Sequence, residues 1–442
     1  MGIGREVYKT ISQSKPTSLG SGWFRSDPQI LARLSISPLE NELILLIRRF
    51  GELTKADLVD HTNYSRTKIT SCIDSLVSKK IIRTNGSSEF TGGRRSRTYS
   101  LNGEMGLVAG VDIGATSIDV VLSDFSGNMI ARYGESAIVR EGPLPILNKV
   151  SEIINRIILE NGMDPEKLTG IGIGVPGPVD FLLGAVLSPP IMPGWDRFPI
   201  IATLQESFPL ANIVIDNDVN VMALGEVTLG AARGIENLIF LKIGTGIGAG
   251  IICGGRIYRG SNGCAGDVGH ICADKSGPVC SCGNTGCLEA VASGPAIAER
   301  GKNFAISGNS PILNKYLDLN GGTMRAEDVG DAAREGDLIA IEIIRTSGEM
   351  IGDVLASLVN FYNPSMIVIG GGVSNIGNLL LSSIRQGVLN RSLPLATRDL
   401  RIVFSAIGPD AGVTGAVSLA LEHMFSVENS NNRKQSIAGA FG

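Results

Sequence analysis

Between residues 37 and 101 the apolar positions fall first into helical and then into alternating patterns. Leu39, Leu43, Leu46, Ile47 and Phe50 share one helical face behind Ser37-Pro38, a capping hydroxyl followed by proline at the first helical position, and Gly51 ends the run. Leu53 to His61 predicts a short helix capped by Thr54, and Thr62-Asn63-Tyr64 a turn. Ser65 then caps a third helix with an apolar stripe at Ile69, Cys72, Ile73, Leu76 and Val77, closed by Lys79 and Lys80. Ile81–Arg83 and Thr98–Leu101 predict the two strands of a ribbon with Gly92-Gly93-Arg94-Arg95-Ser96-Arg97 at its tip. Residues 1–35, rich in Ser, Gly and Pro, show little periodicity and read as a flexible arm; residues 426–442 read as a disordered tail.

From Gly106 the period changes. Leu107–Ile113 predicts a strand, Gly114-Ala115-Thr116-Ser117 a tight turn, Ile118–Phe125 a second strand and Met129–Tyr133 a third. Ile146, Val150, Ile153, Ile154, Ile157 and Ile158 mark a helix. Leu168–Gly174 reads as a buried strand whose alternating glycines suit close approach to a ligand, and Val175-Pro176-Gly177-Pro178 as the turn that follows. Ile213–Ile215 is a further strand, ending in Asp216-Asn217-Asp218-Val219-Asn220, with a helix from about Val221 that carries Glu226. Leu238–Ile243, the turn Gly244-Thr245-Gly246 and Ala249–Cys253 repeat the first strand-turn-strand layout. Met366–Val373 is a strand running into a glycine turn, and Gly408-Pro409-Asp410-Ala411-Gly412 precedes a last helix.

Charge changes this picture. Residues 1–105 carry 16 Lys and Arg against 10 Asp and Glu, while the whole chain of 442 residues is at −4, so the remainder is strongly acidic. A basic module ahead of an acidic body points to a polyanion partner for the first part alone. The third helix presents short polar side chains, Thr67, Thr70, Ser71 and Asp74, with Arg66 near its start, a surface suited to a major groove. Ser65, Arg66, Thr67, Lys68 and Thr70, with Arg94, Arg95 and Arg97 on the wing, are the expected DNA contacts of a winged helix-turn-helix over 36–103; a small helical domain with a solvated Arg loop is the alternative. No apolar run is long enough to span a bilayer, and the N-terminus lacks a secretory layout, so the expected location is cytoplasmic.

The seven cysteines are too unevenly spaced for a disulfide framework. Cys280, Cys282 and Cys287 with His270 offer three sulfurs and one nitrogen, the composition of a closed structural zinc site. Asn217 and Asp218 stand at a strand end, where α/β folds place ligands; on this segment alone a helix cap at Asp218 or Asn220 is an equal reading.

Asp112-Ile113-Gly114-Ala115-Thr116, Gly174-Val175-Pro176-Gly177, Asn217-Asp218-Val219-Asn220, Gly244-Thr245-Gly246-Ile247-Gly248 and the run Cys280 to Glu289 with His270 together resemble the ROK family of repressors, open reading frames and sugar kinases. The resemblance implies an α/β fold: a winged helix-turn-helix followed, over 106–425, by a duplicated actin-like (ribonuclease-H-like) ATPase fold. Its lobes would span 106–225 and 226–410, with the last helix returning to the first. It assigns zinc to His270, Cys280, Cys282 and Cys287, sugar hydroxyls to Asn217, Asp218, Asp267, His270 and Glu289, and the general base of a kinase to Asp218. ATP with Mg²⁺ would lie against Asp112, Gly114, Thr116, Gly244, Thr245, Gly246, Gly371 and Gly372. The chain departs from the family's kinases at Ala115, Ser117 and Asp267, where these usually have Gly, Lys or Asn, and Glu. The expectation is therefore a sugar-responsive repressor, dimeric or tetrameric, acting on operator DNA and not as an enzyme; an ATP-dependent sugar kinase fused to a DNA-binding domain is the alternative.

Overall fold

A computed structural model describes residues 36–87, 97–189 and 192–425. Arg94 and Arg95 lie outside the described residues, as do the expected arm and tail. The chain divides into two compact units, the second running from Gly103 to Leu421 and the first taking the residues before it and those from Glu422.

In the first unit, Pro38–Phe50, Lys55–Asp60 and Arg66–Ser78 are helices, and β1 (Leu53–Thr54), β2 (Ile82–Ser87) and β3 (Arg97–Leu101) form a sheet in the order β1-β3-β2. Ser37 and Glu40 close the first helix reciprocally: Ser37 N–H donates to Glu40 Oε2 at 2.6 Å and Glu40 N–H to Ser37 Oγ at 3.3 Å. Lys79 Nζ donates to the other Glu40 oxygen at 2.7 Å, tying the end of the third helix to the start of the first. Burial opposes ionisation of Glu40, but the bonds from Lys79 and Ser37 outweigh it and hold its carboxyl at about 2. Ile69, Ile73 and Leu76 are buried as expected. Cys72 is only partly buried and Val77 is exposed, because the contact face is narrower than the apolar stripe.

The second unit holds two five-stranded sheets. The first contains β4 (Leu107–Ile113), β5 (Ser117–Asp124), β6 (Met129–Ser136), β7 (Leu168–Val175) and β10 (Asn212–Asn217), with a small hairpin of β8 (Val179–Asp180) and β9 (Ala185–Val186) before β10. The second contains β11 (Leu238–Ile243), β12 (Ile247–Cys253), β13 (Arg256–Ile257), β14 (Met366–Gly370) and β15 (Arg401–Phe404). Their orders are β6-β5-β4-β7-β10 and β13-β12-β11-β14-β15; in both, the first three strands pair antiparallel and the last three parallel. The same topology thus occurs twice.

Each sheet has an outer face under ordinary amphipathic helices. Helix Pro143–Glu160 buries its isoleucine stripe against Ala109, Val111 and Ile113 of the first sheet. Ile239, Leu241 and Ile243 of the second share a core with helices Gly294–Ile306, Ala326–Arg334, Leu338–Tyr362 and Asn378–Arg391. The inner faces are built differently. Helix Ala411–Phe425 lies so close to the first sheet that a Cβ on Gly110 would stand 2.4 Å from Val413 O and one on Gly172 1.9 Å from Ala416 O. Gly172 of β7 therefore admits a helix backbone where the sequence suggested a ligand, while Gly174 faces Asp112 and the start of helix Asp218–Thr228. Helix Asp218–Thr228, which follows the first sheet in the chain, puts Val219, Met222 and Ala223 against Leu238, Phe240 and Val368 of the second. The two inner helices meet at glycines: a Cβ on Gly415 would fall 1.7 Å from Val221 O, and one on Gly225 2.4 Å from Ala411 O.

Candidate functional site

On the first unit, the outward face of helix Arg66–Ser78 borders an open concavity of about 610 Å³ lined by Lys55, Arg66, Thr67, Thr70, Ser71 and Asp74. Ser65 accepts from Lys68 N–H at 3.4 Å and so acts as the helix cap. Thr70 Oγ1 donates to Arg66 O at 2.8 Å, and the Lys68 ammonium stands 4.5 Å from the centre of the Tyr64 ring. Arg66 and Thr67 are exposed, as is Arg97 at the start of β3. Lys55 lies on the preceding helix and was not among the expected contacts; its place on the lining shows only once the helices are packed.

On the second unit, β10 ends in Asn217 and the helix begins at Asp218, three residues earlier than the sequence pattern places it. Asn217 is the cap: its Oδ1 accepts from Val219 N–H at 2.9 Å, and its Nδ2 donates to Gly177 O at 2.9 Å. The equal readings of Asp218 or Asn220 as the cap are thereby corrected, and the hydrogen-bonding capacity expected of Asn217 toward a sugar is largely used within the chain. Asp218 is buried and faces across to the second sheet, where Lys242 Nζ donates to its Oδ2 at 2.6 Å. Asp112, at the end of β4, belongs to the same group. A Cβ on Gly174 would lie 3.5 Å from both Asp112 Oδ1 and Asp218 Cα, so no side chain separates the two acids. Burial pushes the Asp112 carboxyl up to about 6 although Lys242 pulls it down. Burial works against the Lys242 ammonium, but Asp218 and Asp112 outweigh it and raise its pKa.

A second inter-sheet pair lies beside this one. Arg259 Nη2 approaches Asp216 Oδ2 to 2.6 Å, and its guanidinium covers the Phe181 ring at 3.8 Å. Lys242 and Arg259 are both absent from the expected site. The available signal for Lys242 was its single charge inside the apolar strand Leu238–Ile243.

The two tight turns close alike: Gly114 N–H donates to Ser117 O at 2.8 Å and Gly244 N–H to Gly246 O at 2.9 Å. Thr116 and Thr245 are exposed at their tips. Glu289 accepts from Ile247 N–H at 3.0 Å and lies against Gly246, where a Cβ would be 2.4 Å from its Oε2. It thus braces the second turn from the side of Gly269. Gly371, expected at the nucleotide, has φ +86 and packs on the backbone of Ile243, while Gly372 beside it is open. Asp267 is exposed, its Oδ1 3.8 Å from His270 Nε2 and so beyond direct hydrogen bonding.

His270 turns its other nitrogen to the cysteines. The ligand atoms of His270, Cys280, Cys282 and Cys287 all lie within 4.8 Å of one another. Cys280 Sγ is 3.6 Å from His270 Nδ1 and Cys282 Sγ 3.6 Å from Cys287 Sγ, near the edge of roughly 3.8 Å that a tetrahedron of metal–sulfur bonds of ~2.3 Å requires. The knuckle is fixed by Cys280 N–H on Asn284 O at 2.7 Å and by Gly286, whose absent Cβ would fall 1.5 Å from Asp274 O. The Asn284 amide lowers the Cys282 thiol, whereas burial pushes the Cys287 thiol up to about 12. A divalent cation supplies the charge that lets both ionise. The donor set fits a metal ion; Cys264 and Cys272 are exposed and outside it.

Comparison with known proteins gives a consistent result. Residues 108–423 match the ROK family. A xylose repressor from Caldicellulosiruptor bescii is 32% identical over 381 residues, which covers 84% of this chain and 94% of the repressor. A solved ROK family transcriptional regulator, a homologue of the E. coli MLC protein, has a TM-score of 0.75 at 26% identity, covering 87% of this chain and 96% of its own. A ROK family glucokinase from Streptomyces griseus, solved with glucose and AMPPNP, has a TM-score of 0.62 at 31% identity, covering 71% of this chain and 99% of the kinase. These kinships correct the expectation that the chain is not an enzyme. Sugar kinases match the second unit over nearly their whole length, and further glucokinases are as similar in sequence. The first turn keeps its closing hydrogen bond with Ala115 and Ser117 in it.

Proposed function

The chain belongs to the ROK family, and on that premise we propose that it is a transcriptional repressor whose second unit binds a sugar and whose first unit is a winged helix-turn-helix. The observation that carries this reading is the first unit itself. The family match begins at residue 108, a glucokinase of full length covers only 71% of the chain, and a relative covering 84% is a xylose repressor. In this reading Arg66, Thr67 and Lys55 face the major groove. Ser65 and Thr70 shape the helix behind them, and Lys68 and Arg97, with Arg94 and Arg95, meet phosphates. Two copies pair their reading helices on a palindromic operator. The two sheets are the lobes of an actin-like (ribonuclease-H-like) ATPase fold. A cytoplasmic sugar enters between them toward Asp218, Asp267 and His270, and a structural zinc on His270, Cys280, Cys282 and Cys287 fixes the sugar-facing turn.

Electrophoretic shifts on the DNA upstream of the protein's own coding region, at low salt and with glucose or xylose added, test this reading. A shift that either sugar releases is expected. Absence of any shift at low salt sinks it.

A second reading, phosphorylation of the bound sugar by ATP, is favoured by Asp218, an acid at a strand end beside a glycine turn that resembles a phosphate loop. Asp218 would accept the hydroxyl proton as the sugar oxygen bonds to the γ-phosphorus and the bond to ADP breaks. Sugar-stimulated ADP release that disappears in Asp218→Asn is the expected sign.

A further inference from the structure

We propose that Lys242 couples phosphoryl binding to sugar binding: its ammonium, held by Asp218 beside Asp112, passes to a phosphoryl oxygen at the Gly244-Thr245-Gly246 turn and thereby opens Asp218 Oδ2 to a sugar hydroxyl. This rests on reading the second unit as a sugar-binding domain.

Both oxygens of Asp218 are engaged: Oδ1 accepts from Val219 N–H at 2.9 Å and Oδ2 from Lys242 Nζ at 2.6 Å. The ammonium occupies an acceptor direction that a hydroxyl needs. The pair must loosen before Asp218 can take a proton.

The surroundings of Lys242 permit that. Its partners across the sheet are Gly248 on β12 and Gly370 on β14, so neither opposed residue sets a side chain of its own beside the stem, and the room over them is taken by Val219 and Phe240. The side chain retains 31% of its exposure, and a Cβ on Gly244 would stand 3.9 Å from Lys242 Cε, which places the stem beside the turn. The charges supply the drive. A phosphoryl group arriving without a cation would meet the carboxylates of Asp112 and Asp218. With Lys242 present it meets a ready ammonium, and its two negative charges compete well against the single charge of Asp218. Once Lys242 has moved, the vacated oxygen of Asp218 is a desolvated acceptor, which a sugar hydroxyl satisfies. Sugar and phosphoryl group then favour each other's binding, and by linkage the factor is the same in both directions.

Calorimetric titration of the full-length protein tests this in two arms that separate the sources of phosphoryl oxygen. In one, glucose and xylose are titrated with and without Mg²⁺ and AMPPNP. In the other, glucose 6-phosphate is compared with glucose. A gain in affinity of roughly 5- to 150-fold is expected in at least one arm. The gain should vanish in Lys242→Met and persist in Lys242→Arg. The first arm alone marks a nucleotide as the source, the second alone a sugar phosphate. If Lys242→Met does not fold, Lys242→Gln takes its place. Wild-type protein that binds sugar with no gain in either arm, or a neutral variant that keeps the gain, overturns the role of Lys242 alone. Wild-type protein that binds neither sugar removes the sugar-binding reading and the coupling with it.

Discussion

Asp112 stands at the end of β4 with its carboxyl raised to about 6, against an ordinary value of 3.8, and it faces Lys242, Asp218 and Asp119. Ionising it disfavours the folded state. Its contribution to stability is complete below about pH 4 and is lost as the pH rises through about 6. Asp112→Asn is therefore expected to raise the unfolding free energy at about pH 7.5, by about 3 kcal/mol, and to change little near pH 4. Urea titrations at the two pH values check this; an unchanged or lowered midpoint at the higher pH refutes it. Single residues were only partly legible in the sequence. Asp112 and Asp218 could be picked out because each ends a strand. Their partner Lys242 lies on the other sheet, and no spacing along the chain reports that distance. Asn217 shows a second limit: its type suits a ligand, and the sequence does not report that its Oδ1 also caps the helix it precedes while its Nδ2 reaches Gly177 O.

Among the elements, the first helix is held by one acid. Glu40 is buried, is bonded to Ser37 and Lys79, and has its carboxyl lowered from 4.5 to about 2. A depressed carboxylate stabilises the fold above about pH 4.5 and loses that contribution as the pH falls through about 2. Glu40→Gln should cost about 3 kcal/mol at neutral pH, with the difference from wild type shrinking on acidification, as read from thermal melts. The His270–Cys287 knuckle makes a second prediction at this scale. Freshly purified protein should hold about one zinc per chain by elemental analysis, and Cys282→Ser should lose it together with several degrees of melting temperature. Metal content well below one per chain in wild type would count against the knuckle as a zinc site. Both elements were readable because their chemistry is local. The capping pair is three residues apart, and the four donors span eighteen residues, from His270 to Cys287. The helix Leu338–Tyr362, by contrast, went unread. Its buried residues cover more than half of its circumference, and Glu342, Glu349, Asp353 and Asn360 line the face that remains.

For the whole molecule, the proposed division of labour puts DNA on a basic unit ahead of an acidic body. Arg66→Ala is expected to weaken operator binding and to relax sequence preference while leaving the slope of log K against log salt nearly unchanged. A slope reduced by about one with sequence preference intact would place its guanidinium on a phosphate instead. The repeated topology was legible at this scale, since the turns at Gly114 and Gly244 and the strands around them recur in the sequence. The resemblance returned the last helix to the first half; what could not be read was that helix Asp218–Thr228, which follows the first sheet in the chain, packs on the second. The glycines of β7 and β12 show it only when the opposing helix backbones are in view.

Gly225 and Gly415 set two backbones in contact with no side chain between them. There is no rotamer to repack at that point. A shift of one sheet against the other would carry one helix backbone past the other here, a slide that needs no rotamer change. The crossing thus sets the separation of the two helices by backbone alone.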